Sequence, residues 1–117
     1  MNLRIETLAE ATCVIPEGRL DFDAAPAFQE TLERVLGATG KPAALIIDGE
    51  ALEYVSSAGL RAFLVTARAS QRAGVRFALC ALQPAVHEVF DLSGFSRILA
   101  VYPDRATALA QMPPGRA

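Results

Sequence analysis

Ser56-Ser57-Ala58-Gly59-Leu60 stands between an apolar run at residues 43–47 (Ala-Ala-Leu-Ile-Ile), closed by Asp48, and a helical pattern that continues to about Ala73. An unbroken apolar run of that length reads as a strand covered on both faces, which makes it the central strand of a sheet. In the pattern that follows, Leu60, Phe63, Leu64 and Ala67 fall on one helical face, while Arg61, Arg68 and Arg72 share an outer one. The serines therefore sit where a strand and loop hand over to a helix. A hydroxyl there can cap the helix, line an anion site or accept a phosphoryl group, and on local physics alone the cap is the safer reading.

Upstream, Leu3, Ile5 and Thr7 alternate with Arg4 and Glu6, the period of a half-buried strand. A turn at Ala9-Glu10 leads to a second strand from Thr12 to Ile15. Pro16 lacks an N–H, so that strand either ends there or turns the position to an unpaired side. Gly18-Arg19-Leu20-Asp21 reads as a connector. Asp23 before Ala24-Ala25-Pro26 predicts the start of a first helix, with Phe28, Leu32, Val35 and Leu36 inward and Gly37 and Gly40 stopping it.

Downstream, Gly74 ends the second helix. Residues 75–82 predict a strand, and Pro84 with Val86, Val89 and Phe90 a short helix closing near Gly94. Residues 98–102 predict a last strand. Pro103-Asp104 opens a final helix with Ala106, Leu109 and Ala110 inward. The pattern predicts an α/β fold: one domain over residues 1–112, with a mixed sheet of about five strands and about four helices, and a fraying tail at 113–117.

Composition excludes several classes of function. Of the 117 residues, 52% are hydrophobic and 21% charged, which argues for a packed core rather than disorder. A net charge of -2 offers no excess of cations for nucleic acid. The charged N-terminus is unlike a signal peptide and no run is long enough to span a bilayer, so a cytoplasmic protein without membrane insertion is expected. Cys13 and Cys80 lie in apolar strands without metal or redox spacing and read as buried hydrophobes. His87 is one turn before Asp91 and reads as an exposed or hydrogen-bonded helix residue. The glycine spacing of a nucleophile elbow is missing around Ser57, so no catalytic residue is expected; with no cysteine or second histidine in register with His87 and no Gly-rich phosphate loop, neither is a metal or cofactor.

With these readings in place, Asp48, the segment Leu52-Glu53-Tyr54-Val55-Ser56-Ser57-Ala58-Gly59-Leu60-Arg61, the upstream Gly18-Arg19-Leu20-Asp21 and the later Phe90-Asp91-Leu92-Ser93-Gly94 resemble the STAS-domain family. The likeness is to the free-standing bacterial anti-sigma factor antagonists and covers roughly residues 3–110. It implies partner switching in signal transduction and transcription regulation. The unmodified protein binds a serine kinase that also acts as an anti-sigma factor, phosphorylation releases it, and a serine phosphatase resets the cycle. The implied acceptor, two residues before the motif glycine, is Ser57. Relatives often carry aspartate directly before it, where this chain has Ser56, which makes Ser56 the alternative acceptor. The implied partner-binding face comprises Asp21, Ser56, Ser57, Ala58, Gly59, Leu60 and Arg61. From the residues alone, Asp21 reads equally well as a brace for the loop before the first helix. A second function consistent with the resemblance is a STAS-like regulatory subunit docking on a membrane transporter's ATPase.

Overall fold

The computed structural model describes residues 1–37 and 42–112. Residues 44–48 are buried at every position and form β3 (Ala44–Asp48), as an unbroken apolar run requires. The elements before it are β1 (Asn2–Thr7), β2 (Thr12–Leu20) and α1 (Ala25–Gly37). After it come β4 (Leu52–Val55), α2 (Ser57–Arg72), β5 (Arg76–Cys80) and α3 (Pro84–Leu92), then a short 3-10 helix (Phe95–Arg97), β6 (Val101–Tyr102) and α4 (Arg105–Gln111). The strands form a mixed sheet in the order β1-β2-β3-β5-β6, with β4 paired to β2. Only β1 and β2 are antiparallel among the described pairings.

Successive residues of β3 feed opposite faces. Leu45 and Ile47 join Val14 and Leu79 beneath α1, α2 and α3, in a core with Phe28, Leu32, Phe63 and Phe90. The Phe63 ring meets Phe28 edge-on at 5.3 Å and Phe90 at 5.5 Å, so three helices share one aromatic chain. Ala44 and Ile46 face the other way, packing with Cys13, Ala78 and Cys80 under Ala108 and Met112. Thus α4 covers the second face.

The α/β class and the four helices agree with the sequence pattern, and the sheet has one strand more than expected. That addition is β4. It exists because β2 does not stop at Pro16: its pairing with β3 ends at Val14 and its pairing with β4 begins at Gly18. Pro16 lies opposite Leu3 of β1, on the stretch where the other side of β2 has no partner. The expected connector at residues 18–21 is therefore largely strand. Gly18, at φ 98°, supplies the irregularity that lets β2 change neighbours.

Three smaller expectations change. The last strand shrinks to Val101–Tyr102, because Gly94 turns left-handed at φ 82° and feeds the 3-10 helix, leaving Ile98 64% exposed. In α4 Leu109 packs inward as expected, joined by Ala108 and by Met112 just past the helix end, whereas Ala106 and Ala110 are exposed. Ile5 is half exposed, since β1 is an edge strand. The helix stop at Gly40 and the tail at 113–117 lie outside the described residues.

Candidate functional site

The junction between β4 and α2 is built by hydrogen bonds that treat its two serines differently. The Ser56 amide donates to the Leu20 carbonyl at 2.8 Å, which ties the helix start to the end of β2. Ser56 has extended backbone (φ -85°, ψ 171°), and its hydroxyl accepts the Gly59 N–H at 3.1 Å. It is the helix cap. The Gly59 position is buried, and a Cβ there would lie 2.8–2.9 Å from the Leu20 and Val55 side chains. Glycine is thus what lets α2 approach β2 and β4 so closely.

Ser57 is the first residue of α2 and is exposed. Its hydroxyl has no partner among the described residues, and neither do the backbone N–H groups of Ser57 and Ala58. A free hydroxyl thus stands beside two orphan donors at the positive end of a sixteen-residue helix. Ala58 is partly exposed and Arg61 exposed, while Leu60 packs into the core. Gly59 and Leu60 can therefore shape a partner face only by positioning their neighbours.

Asp21 follows Leu20. Its Oδ1 accepts the Ala24 N–H at 2.9 Å, and its carbonyl accepts the Ala25 N–H at 3.1 Å. The cap expected of Asp23 is thus made by Asp21, because the chain turns once through residues 22–24 before α1 begins. The same turn projects Phe22, 77% exposed. Phe22, Pro26, Glu30 and Glu33 on one side and Ala58 and Arg61 on the other line an open groove of about 450 Å³ between the starts of α1 and α2. Neither Phe22 nor the glutamates carried a sequence signal, since a lone phenylalanine reads as core and helix glutamates as a solvated face. Arg68 and Arg72 lie farther along α2, outside this groove.

The other polar residues are engaged elsewhere. Asp48 is buried; one carboxylate oxygen accepts the Glu50 N–H at 3.0 Å and the other accepts from Arg105 at 2.9 Å. Arg105 also donates to Glu6 at 2.8 Å, joining α4 to β1 and β3. Its hydrogen bond and charge hold the Glu6 carboxyl below its ordinary pKa. His87 pairs with Asp91 one turn on at 3.2 Å. Arg19 lies over the Tyr54 ring at 4.1 Å, clamping β2 to β4 next to the α2 cap. Cys13 and Cys80 are free thiols in the second core, and burial pushes Cys80 up to about 12. No grouping of metal-ligating side chains occurs among the described residues, and none of their helices is long and apolar enough to cross a membrane.

This fold is that of a known class: residues 2–108 match the STAS domain, and the chain belongs to that family. Among its relatives is BtrV of Bordetella bronchiseptica, a candidate anti-sigma factor antagonist, 41% identical over 66 residues, or 56% of this chain and 57% of that one. The chain covers less than two thirds of the curated relatives it matches. An anti-sigma factor antagonist from Mycobacterium paratuberculosis superposes with a TM-score of 0.83 at 27% identity, over 93% of this chain and 91% of that one. The Bacillus cell fate determinant SpoIIAA in its phosphorylated form shares the fold, with a TM-score of 0.71 at 20% identity over 93% and 97% of the two chains.

Proposed function

We propose that this chain is an anti-sigma factor antagonist working by partner switching. In its unmodified form it binds a serine kinase that doubles as an anti-sigma factor, using the β2–α1 loop and the exposed start of α2. The kinase then transfers the γ-phosphoryl group of ATP to the Ser57 oxygen, the hydroxyl proton is lost and ADP leaves. A phosphatase returns Ser57 to the hydroxyl form. The observation that carries this reading is the division of labour between the serines: Ser56 is used as the cap, and Ser57 is exposed and unbonded. The relatives named as anti-sigma factor antagonists support the regulatory class.

Phosphorylation would add about 1.5 to 2 negative charges at neutral pH, and the orphan N–H groups of α2 can receive them without refolding. A partner surface fitted to a neutral hydroxyl would then face repulsion and a desolvation cost. Incubation with candidate kinases and ATP, followed by mass-spectrometric mapping, tests the assignment. Phosphate on Ser57 is expected; phosphate on Ser56 with none on Ser57 contradicts it.

A further inference from the structure

Charges around the start of α2 are unevenly matched. Arg61 follows Ser57 by four residues, so both side chains rise from the same face of the helix, with Cβ atoms about 6 Å apart. The Arg61 guanidinium forms no ion pair among the described residues. It shares the groove with Glu30 and Glu33 of α1, and Glu33 accepts a hydrogen bond from Gln29 at 3.1 Å. On the β2–α1 loop the Asp21 carboxylate is turned to the Ala24 N–H.

We infer that Arg61 is the intramolecular receptor for a phosphate carried on Ser57, an assignment that rests on reading Ser57 as the modified residue. A phosphate there meets the free N–H groups of Ser57 and Ala58 from below and the Arg61 fork from the following turn. An acidic group placed N-terminal to a cation at this spacing has the favourable orientation on a helix. The planar guanidinium can also hold two phosphate oxygens at once. When Arg61 turns to the phosphate it leaves the groove, and Glu30 and Glu33 lose the one cation that lines it with them. Modification thus changes the partner face twice, adding an anion at Ser57 and removing a cation from the groove beside it. Arg68 and Arg72 lie two or more turns from Ser57 and take no part.

The test needs no kinase. Phosphoserine is placed at position 57 of the full chain during synthesis, and its second pKa is followed by phosphorus NMR at low salt. Arg61→Ala is expected to raise that pKa by about 0.3 of a unit relative to the parent. Arg61→Lys should recover part of the shift and Arg68→Ala should leave the parent value. The acids Glu30, Glu33 and Asp21 are common to every variant, so their effect cancels. Equal pKa values in parent and Arg61→Ala overturn the assignment, as does an equal shift from Arg68→Ala. Because the phosphate is installed, a failed kinase assay would sink the reading of Ser57 as substrate without touching this result.

Discussion

Ser56 and Ser57 are chemically identical and one residue apart, yet the turn of the chain gives one a bond and leaves the other free. Ser56→Ala removes the cap and should cost about 1 kcal/mol in a urea melt. Ser57→Ala should leave both stability and kinase binding intact while blocking modification. Ser57→Asp should weaken kinase binding at least about tenfold, or roughly 1.4 kcal/mol, in a calorimetric titration. Equal affinities for the two Ser57 variants would remove the basis for release by charge. The hydroxyl pair was legible in the sequence because small residues follow it at a helix start. Which serine is bonded was not, since that depends on where the Gly59 N–H points. Phe22 was invisible for a related reason: its exposure comes from the turn that Asp21 braces, a feature of three-dimensional path rather than of pattern.

The elements that escaped sequence reading are those whose pairing is decided at a distance. β4 has only four residues, buried only at its ends, too short for a period to register. It becomes a strand because β2 continues past Pro16 and offers it an edge. Gly59 is where this arrangement meets α2, and Gly59→Ala tests it. The added methyl collides with Leu20 and Val55, an overpacking cost of about 1–3 kcal/mol, from which the better helix propensity of alanine recovers up to about 1. A net loss in the urea midpoint is expected. The long, strongly periodic α1 and α2 and the unbroken β3 were legible because their patterns need no partner to be recognised. α4 is held differently, by Arg105 bridging Glu6 and the buried Asp48. Arg105→Ala should cost about 2 kcal/mol, chiefly by stranding Asp48. The bridge also gives stability a pH dependence. With its folded-state pKa depressed, Glu6 contributes fully above its ordinary value of 4.5 and loses that contribution as pH falls through the lower folded-state value. Urea midpoints measured against pH should show this acid-side decline in the parent and a flatter profile in Arg105→Ala.

Across the whole molecule, the sheet separates two cores of unequal weight. The front holds three helices and the linked rings of Phe28, Phe63 and Phe90, beside the groove at the start of α2. The back is closed by a seven-residue helix over small side chains and two thiols. Both thiols should resist a water-soluble disulfide reagent in the native chain and react in urea. Because burial raises the Cys80 pKa, the folded state should also lose stability as pH climbs from the ordinary thiol value of 9 towards 12. The placement of those thiols has a kinetic consequence. If α4 lifts away by itself, they are uncovered while the aromatic chain stays closed, so their labelling rate in native buffer clocks the breathing of the back layer alone. Arg105→Ala should run that clock faster than its loss of global stability accounts for, separating the motion of one small helix from the unfolding of everything it rests on.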